Sequence, residues 1–228
     1  EYAYSTVTDA SGNVYVAGYT NSSTGAASGG FQLTNGGGYD AYLVKFNSSG
    51  AEQWGTYYGG IADDYGYGVS IDPFGNVYLA GRTNSATGIA TAGAAQNSIG
   101  GGTDAFLVKF SASGARLWAT YYGGVNDDFG YSVSANTMGN VYLAGYTNSA
   151  SGIASGGFQN TFGGIYDGYL VKLNAAGILL WATYYGGANS DYFYSLATDV
   201  SEYVYLAGYT NSASGFASGG VQNTIGGG

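Results

Sequence analysis

The feature that most constrains the fold of this chain is an internal repeat that runs through its 228 residues. The string DAYLVKF at 40–46 recurs as DAFLVKF at 104–110 and as DGYLVKL at 167–173. The spacing is 64 and then 63 residues, and the difference is one deletion in the loop after Ile89. Self-similarity of this kind indicates a tandem array in which each repeat is one structural unit.

Each repeat predicts four β-strands, which fall in the first complete copy at 40–46, 52–58, 65–72 and 76–83. These segments are rich in Tyr, Val, Leu, Phe and Trp and are bounded by Gly, Asn, Asp and Ser. The turn at 72–76 has an aspartate to cap it, a proline that fixes φ and a glycine for the left-handed conformation. No segment shows an apolar period of 3.6 residues, so we expect essentially no helix.

Both sets of alternating side chains in these strands are apolar or small, which predicts sheets that are covered on both faces. A two-layer sandwich would show one polar face on each strand. Four antiparallel strands repeated around an axis favour an all-β fold of β-propeller blades, with three full blades plus a half blade. The expected units are 1–35 (half a blade and a connecting loop), 36–99 (a blade), 100–162 (a blade) and 163–228 (a blade and a connecting loop).

The half blade at 1–35 is expected to lack its first two strands and to leave an unpaired edge. Such an edge invites strand addition, so we expect either a longer array or a homo-oligomer or filament that forms through blade edges. The long connections rich in Gly, Ala, Ser and Thr, at 84–103, 148–166 and 211–228, are expected to latch neighbouring blades.

The composition excludes several classes of function. The chain has no histidine and no cysteine, which removes Ser-His-Asp triads, thiolate catalysis, disulfides and most zinc sites. Five basic residues against 14 acidic ones give a net charge of −9, which argues against nucleic acid. There is no run of about 18 apolar residues, so we expect no membrane insertion. No catalytic constellation stands out, and we expect no enzyme.

The repeat motifs resemble the bacterial β-propeller repeats known as SBBP repeats. The motifs that carry the resemblance are DAFLVKF, W-x-T-Y-Y-G-G, D-D-x-G-Y, S-G-N-V-Y-V-A-G-Y-T and G-G-F-Q-N-T-x-G-G. The last copy departs from the pattern at Glu202 and Tyr203, and at 189–191. The resemblance implies a propeller, export to the cell surface or the medium, and a scaffold or binding role without an established enzymatic activity.

Acidic residues recur at the corner that follows each Tyr-Tyr-Gly-Gly motif. The residues are Asp63, Asp64, Asp127, Asp128 and Asp191. Carboxylates on a glycine-rich turn are ligands suited to Ca²⁺, and the same residues could instead cap backbone amides. Both interpretations stay open, and no other cofactor is expected. The recurring Asp40 and Lys45 point to opposite faces of their strand, which predicts an ion pair between blades or a backbone cap.

Aromatic residues supply the remaining candidates for a binding site. Tyr19, Tyr146 and Tyr209 share one repeat position, which Arg82 occupies in the other copy. Arg82 and Trp54 are the asymmetries that we expect to matter most. The Tyr-Tyr pairs such as Tyr57 and Tyr58 are expected to pack between blades, whereas an exposed tyrosine surface would suit a glycan or a protein.

Two functional hypotheses follow. The preferred one is a non-enzymatic structural or adhesive scaffold that is secreted or displayed at the cell surface and able to self-assemble. The alternative is a lectin-like propeller that binds a glycan or a surface protein, with calcium assisting at the acidic corners.

Overall fold

A computed structural model describes residues 1–215 and 221–222, and these residues form antiparallel β-strands with no helix. The strands are β1 (Tyr2–Thr8), β2 (Val14–Thr20), β3 (Asp40–Phe46), β4 (Glu52–Tyr58), β5 (Asp64–Ile71), β6 (Val77–Thr83), β7 (Asp104–Phe110), β8 (Arg116–Tyr122), β9 (Asp128–Ala135), β10 (Val141–Thr147), β11 (Asp167–Leu173), β12 (Leu179–Tyr185), β13 (Asp191–Thr198) and β14 (Val204–Thr210). The four predicted strands of the first complete copy are confirmed to within one residue. Within these described residues nothing has the form of a membrane-spanning helix.

Hydrogen bonds group the strands into three sheets of four strands and one sheet of two. We call them blade 1 (β1–β4), blade 2 (β5–β8), blade 3 (β9–β12) and the half blade (β13–β14). The first strands of successive blades contact one another, which places β1, β5, β9 and β13 on the inner side of the array. The all-β propeller architecture with three full blades plus a half blade is thereby confirmed, and the described sheets do not close into a ring.

The division of the chain into blades differs from the expected units at 1–35, 36–99, 100–162 and 163–228. Strand β2 pairs with β3 along its whole length, from Thr20 opposite Asp40 to Val14 opposite Phe46. The long connection at 21–39 therefore lies within blade 1, and the short segment at 59–63 passes between blades. Residues 1–35 thus belong to a complete blade, and the two-stranded half blade is β13–β14.

The long connections cover the outer strand of their own blade. Residues 28 and 32 form bridges to Gly55 and Tyr57 of β4, and the connection at 148–166 does the same on β12. Contacts with the neighbouring blade also occur, since the Tyr58 hydroxyl of blade 1 donates to the Ile89 carbonyl of blade 2 at 2.7 Å. The long connections therefore link neighbouring blades, as expected. They also cover the outer strand of their own blade, which the repeat pattern did not predict. The third connection, at 211–228, lies largely outside the described residues.

The core lies between the blades. All seven residues of β7 are buried, so both faces of that strand are covered, as its sequence predicts. Tyr58 is fully buried and packs at the junction of blades 1 and 2, as expected. Tyr57 is also fully buried, but its hydroxyl donates to the Ser22 carbonyl in the connection of its own blade at 2.8 Å. Because each blade covers its faces with its neighbours, the described chain has one core cluster at each junction between blades.

The short turns within the blades follow the predicted chemistry. Oδ1 of Asp72 accepts the backbone N–H groups of Phe74 and Asn76, and Gly75 takes a φ of 81°. In the half blade Glu202 occupies the glycine position with a φ of 67°. Its carboxylate accepts hydrogen bonds from Asn136 at 3.0 Å and Lys172 at 3.2 Å, which compensate for the strained backbone.

Candidate functional site

A β-bulge occurs at the same place in each inner strand, and its extra residue is a tyrosine. In β1 the pairing runs from Ala3 directly to Ser5, which leaves Tyr4 as the inserted residue. The same shift occurs in the other inner strands at Tyr67, Tyr131 and Tyr194. A bulge redirects the side chain that it carries, so these four rings leave the regular alternation of their strands.

The four bulge tyrosines form a continuous ladder along the inner side of the array. Ring centroids are 5.3 Å apart between Tyr4 and Tyr67, 4.7 Å between Tyr67 and Tyr131, and 5.0 Å between Tyr131 and Tyr194. The central pair is stacked with an interplanar angle of 4°. Aromatic pairs at these distances stabilise one another beyond the area that they bury.

The predicted positions Tyr19, Arg82, Tyr146 and Tyr209 lie beside this ladder. Tyr19 is 5.4 Å from Tyr4, and Tyr146 is 5.4 Å from Tyr131. Three of these side chains also reach the next blade: Tyr19 lies 4.6 Å from Tyr65, Arg82 lies 5.4 Å from Phe129 and Tyr146 lies 4.6 Å from Tyr192. Tyr209 lies 5.9 Å from Tyr194 of its own half blade. The aromatic end surface, as we call it, consists of the four bulge tyrosines together with Tyr19, Arg82, Tyr146 and Tyr209.

The aromatic end surface is partly open to solvent and carries little charge. Tyr4 and Tyr194 are exposed, and the side chains of Tyr67 and Tyr131 are half-buried. Burial raises the pKa of Tyr67 to about 12, so its hydroxyl is neutral at physiological pH. The surface therefore offers flat ring faces and hydroxyl groups, with Arg82 as its one basic residue.

The structure does not bring Trp54 to this surface. Its side chain is 5% exposed and its Nε1 donates to the Ala112 carbonyl of blade 2 at 3.0 Å. A Cβ on Gly114 would lie 2.9 Å from the indole ring, so this glycine makes room for it. Trp54 pairs with Lys45 near the β3–β4 turn, at the opposite end of the blade. Its side chain packs between blades 1 and 2 and links them through the hydrogen bond to Ala112.

Four of the five carboxylates at the acidic corners, those of Asp63, Asp64, Asp128 and Asp191, accept backbone N–H groups. Oδ2 of Asp64 accepts the Gly60 N–H at 2.8 Å and the Ser85 hydroxyl at 2.7 Å. Asp128 and Asp191 repeat these bonds with their own glycine and serine, and each also accepts a threonine hydroxyl. Oδ1 of Asp63 accepts the Tyr39 N–H at 2.9 Å. These hydrogen bonds agree with the capping interpretation.

Each blade junction holds two fully buried carboxylates from different strands. A Cβ on Gly59 would lie 2.5 Å from Oδ1 of Asp40 and 2.7 Å from Oδ2 of Asp64. Asp104 and Asp128 flank Gly123 in the same way, and Asp167 and Asp191 flank Gly186. Sequence spacing had suggested neighbours such as Asp63 and Asp64 as the acidic cluster, whereas the fold pairs residues 24 apart.

Burial dominates the titration of these carboxylates. It raises the pKa values of Asp40, Asp64 and Asp167 to about 6 and that of Asp128 to about 7, and it also raises the pKa of Asp104. Hydrogen bonds to the carboxylates oppose the rise, and the facing carboxylate adds to it at Asp40 and Asp167. Oδ1 of Asp40, Asp64 and Asp167 accepts no hydrogen bond from the described residues.

Calcium at the corners remains a prediction. Among residues 1–215 and 221–222, no group of three or more His, Cys, Asp or Glu side chains gathers around one point. Of the two roles expected for the recurring Asp40 and Lys45, the ion pair between blades is not formed, since neither ion pair of the described residues involves Asp40, Asp104 or Asp167. The Lys45 ammonium donates to the Ala112 carbonyl at 3.4 Å. In its place, the Gln32 side chain and the Gly36 N–H donate to Oδ2 of Asp40 at 3.0 and 2.8 Å.

A second concave region lies at the opposite end of the blades. A cavity of about 490 Å³ is lined by the β1–β2, β5–β6 and β9–β10 turns. Its polar side chains are occupied, since the Asp72 carboxylate accepts the Asn76 amide and the Tyr78 hydroxyl in addition to backbone N–H groups. This cavity therefore offers fewer free polar groups than the aromatic end surface.

The family of the chain agrees with this geometry. A family model described as a beta-propeller repeat, SBBP, matches three segments, at 53–88, 117–152 and 180–216. The chain carries three SBBP-type β-propeller repeats. The three matches start in the fourth strand of each full blade and run through the first two strands of the next.

One curated relative has a related architecture in its name. It is an uncharacterised WD repeat-containing protein of Acanthamoeba polyphaga mimivirus, 23% identical over 267 aligned positions. The alignment covers 90% of this SBBP-type chain and 19% of the relative. The chain therefore spans about a fifth of the length of that relative, and together the comparisons support a repeat scaffold or binding module.

The ladder tyrosines Tyr4, Tyr67, Tyr131 and Tyr194 were not among the residues predicted from the sequence. A signal was present, because an aromatic residue stands at this position in all four copies, in the strings YAYS, YGYG, FGYS and YFYS. The bulge that turns these rings toward one another has no signature of its own in those strings. The approach of the rings is therefore a property of the assembled blades.

Proposed function

We propose that this chain is a non-enzymatic, extracellular scaffold module of a surface-attached protein and that its aromatic end surface is adhesive toward saccharides. The observation that carries the proposal is the ladder of bulge tyrosines together with the neighbouring row at Tyr19, Tyr146 and Tyr209. Partly exposed rings with neutral hydroxyl groups supply flat apolar faces and hydrogen bonds, which sugar rings require. Repetition of the same position in four copies suits a ligand that itself repeats.

The absence of a catalytic arrangement in the described part of the chain is consistent with this role. The buried carboxylates lie inside the blade junctions, where a substrate would not reach them. Secretion is supported by the resemblance to surface proteins and by a cysteine-free composition rich in Gly, Ser, Thr, Asn and Tyr.

Binding to a panel of neutral polysaccharides tests the proposal. Tyr194→Ala and Tyr209→Ala remove exposed rings from the aromatic end surface, and we expect each to weaken binding about tenfold. Tyr203→Ala is the matched control, because Tyr203 is exposed on the same half blade but lies in the turn at its other end. Equal losses in all three variants, or no binding across the panel, would contradict the proposal.

A second candidate function is self-assembly into a structural array. The observation that favours it is the outer edge of β14, which no strand pairs within the described residues. Its test is the mass of the chain in solution, measured by light scattering across a dilution series for the unaltered chain and for a variant of that edge.

A further inference from the structure

Three residues that break the repeat lie together where blades 2 and 3 meet on the aromatic end surface. Arg82 stands where the other copies have Tyr19, Tyr146 and Tyr209. Thr103 stands where two other copies have Tyr39 and Tyr166, and Phe129 stands where three others have Tyr2, Tyr65 and Tyr192. In a tandem array, residues common to all copies stabilise the blade fold. Residues that differ from the repeat and lie close together in space indicate a site specific to one blade.

Aromatic rings hold the guanidinium of Arg82 in place. Its Cζ lies 4.3 Å from the ring centroid of Tyr65 on its own blade and 5.4 Å from that of Phe129 on blade 3. Its Nε donates to the Tyr67 hydroxyl at 3.1 Å. The flat cation thus replaces one ring of the row, and cation–π contacts fix its orientation.

The terminal nitrogens of Arg82 remain available. Within the described residues, Nη1 and Nη2 make no hydrogen bond, and neither ion pair involves Arg82. The other four basic side chains of the chain each donate to a backbone carbonyl or a carboxylate. Arg82 is therefore the one described basic side chain whose donors reach no such oxygen, on a protein with a net charge of −9.

The substitution at Thr103 removes a ring from the neighbourhood of Arg82. In blades 1 and 3 the equivalent tyrosine packs edge-on against the row, with Tyr39 5.5 Å from Tyr19 and Tyr166 5.6 Å from Tyr146. The smaller Thr103 is 6% exposed, and its hydroxyl accepts the Asn84 amide at 2.8 Å. Blade 2 therefore lacks, beside the guanidinium, the ring that blades 1 and 3 have at this position.

We propose that Arg82, with its terminal nitrogens free and no tyrosine at position 103 beside it, forms a subsite for one carboxylate group of an otherwise uncharged saccharide. The free edge of the guanidinium, formed by Nη1 and Nη2, matches a carboxylate in bidentate geometry, and the rings of Tyr65 and Phe129 hold the guanidinium in place. A single cation on an acidic protein favours a ligand with one carboxylate over a polyanion. The inference rests on the proposed function, because it names the sugar class that the aromatic end surface selects.

Two oligosaccharides test it, identical except that the terminal sugar is glucose in one and glucuronate in the other. We expect the whole chain to bind the glucuronate form at least tenfold more tightly in low salt, with the ratio falling as salt is added. Arg82→Tyr installs the residue of the other three copies and so should keep the fold, and we expect it to bring the ratio to about one. Arg82→Lys keeps the charge without the planar fork and should give an intermediate ratio.

The outcomes separate the two proposals. Equal affinity of the unaltered chain for both sugars overturns the Arg82 subsite and leaves the adhesive function standing. An unchanged ratio in Arg82→Tyr also overturns the subsite. Absence of binding to either sugar overturns the Arg82 subsite, whereas the adhesive function is decided by the panel of neutral polysaccharides. Binding of a glutamate-rich peptide through Arg82, without saccharide binding, would assign the subsite to a protein partner and overturn the sugar class.

Discussion

At the scale of single residues, the buried carboxylates are the most unusual feature of this chain. Asp40, Asp64, Asp104, Asp128 and Asp167 are fully buried, and no basic side chain in the described residues makes an ion pair with them. They accept hydrogen bonds from backbone N–H groups and hydroxyls of the loops, which gives these buried donors a partner. The cost appears as raised pKa values, since burial disfavours the charged form.

We expect the protein to become more stable as the pH falls from 8 to 5. The pKa values of Asp40, Asp64 and Asp167 are about 6 and that of Asp128 is about 7 when folded, against about 4 when unfolded. The folded state therefore binds more protons in this window, and its added stability is complete below about pH 4 and lost as the pH rises through 6 to 7. Denaturant unfolding at pH 5 and pH 8 measures the difference.

Two variants check the origin of that pH dependence. Asp128→Asn removes one of the raised groups and should reduce the difference in unfolding free energy between the two pH values. Asp9→Asn is the control, because Asn136 already occupies the equivalent turn position, and it should leave the difference in place. Greater stability at pH 8 than at pH 5 would contradict the prediction.

The glycine between each pair of carboxylates should tolerate no side chain. A Cβ on Gly123 would lie 2.7 Å from Oδ2 of both Asp104 and Asp128, so Gly123→Ala must displace buried groups. We expect a loss of about 1–3 kcal/mol in the free energy of unfolding. Gly102→Ala is the control, since its Cβ would meet only the Asp127 carboxylate at 3.4 Å. Similar losses in the two variants would show that the carboxylate pair can move aside.

At the scale of the elements, the last blade junction is built differently from the first two. In the first two, an alanine on the third strand faces a glycine on the next inner strand. A Cβ on Gly130, for example, would lie 3.1 Å from the Cβ of Ala105. In the third, the equivalent residues are Gly168 and Phe193. A Cβ on Gly168 would lie 2.7 Å from the Phe193 ring, so the ring occupies the space that an alanine fills elsewhere.

This exchange predicts coupling between Gly168 and Phe193. Gly168→Ala alone should cost about 1–3 kcal/mol by overpacking, and Phe193→Gly alone should cost at least 3 kcal/mol by opening a cavity. The double variant restores the pair found at the other junctions and should cost less than the sum, with a coupling of about 0.5–3 kcal/mol. Denaturant unfolding of the four proteins measures it, and additive losses would contradict the packing argument.

At the scale of the whole molecule, the half blade leaves one strand edge without a partner in the described residues. Strands β10 and β14 have the same sequence, VYLAGYT, and β10 pairs with β11 along all seven residues. Next to that edge, Val204 and Leu206 line a cavity of about 490 Å³, whereas their counterparts Val141 and Leu143 are fully buried. The edge of β14 therefore has both the hydrogen-bonding pattern and the apolar surface that receive a strand in blade 3.

We expect this edge to cause association that increases with concentration, measured as mass by light scattering across a dilution series. Leu206→Lys places a charge beside the edge and should return the protein to about 23 kDa. Leu180→Lys is the control, because Leu180 is an exposed leucine on the outer strand of a complete blade. A monomer at every concentration, or equal effects of both substitutions, would contradict association through β14.

The repeat and its alternation determined much of this protein from the sequence alone. The repeat period, the strand positions and the apolar residues on both strand faces together predict a β-propeller array. Each of these features is a local or periodic property of the chain, so it can be recognised in the sequence. The position shared by Tyr19, Arg82, Tyr146 and Tyr209 was also visible, since it depends only on aligning the copies.

Tertiary structure decided how those strands and side chains combine. Whether the connection at 21–39 lies within a blade or between blades depends on which strands hydrogen-bond to each other. A repeat of 63 residues does not decide this, because a blade can begin at either of two strands in the repeat. The pairing of Asp40 with Asp64, the burial of Trp54 and the ladder of bulge tyrosines all join residues of different blades. Such contacts depend on the bulges and on the angle between neighbouring sheets, which no stretch of sequence encodes by itself.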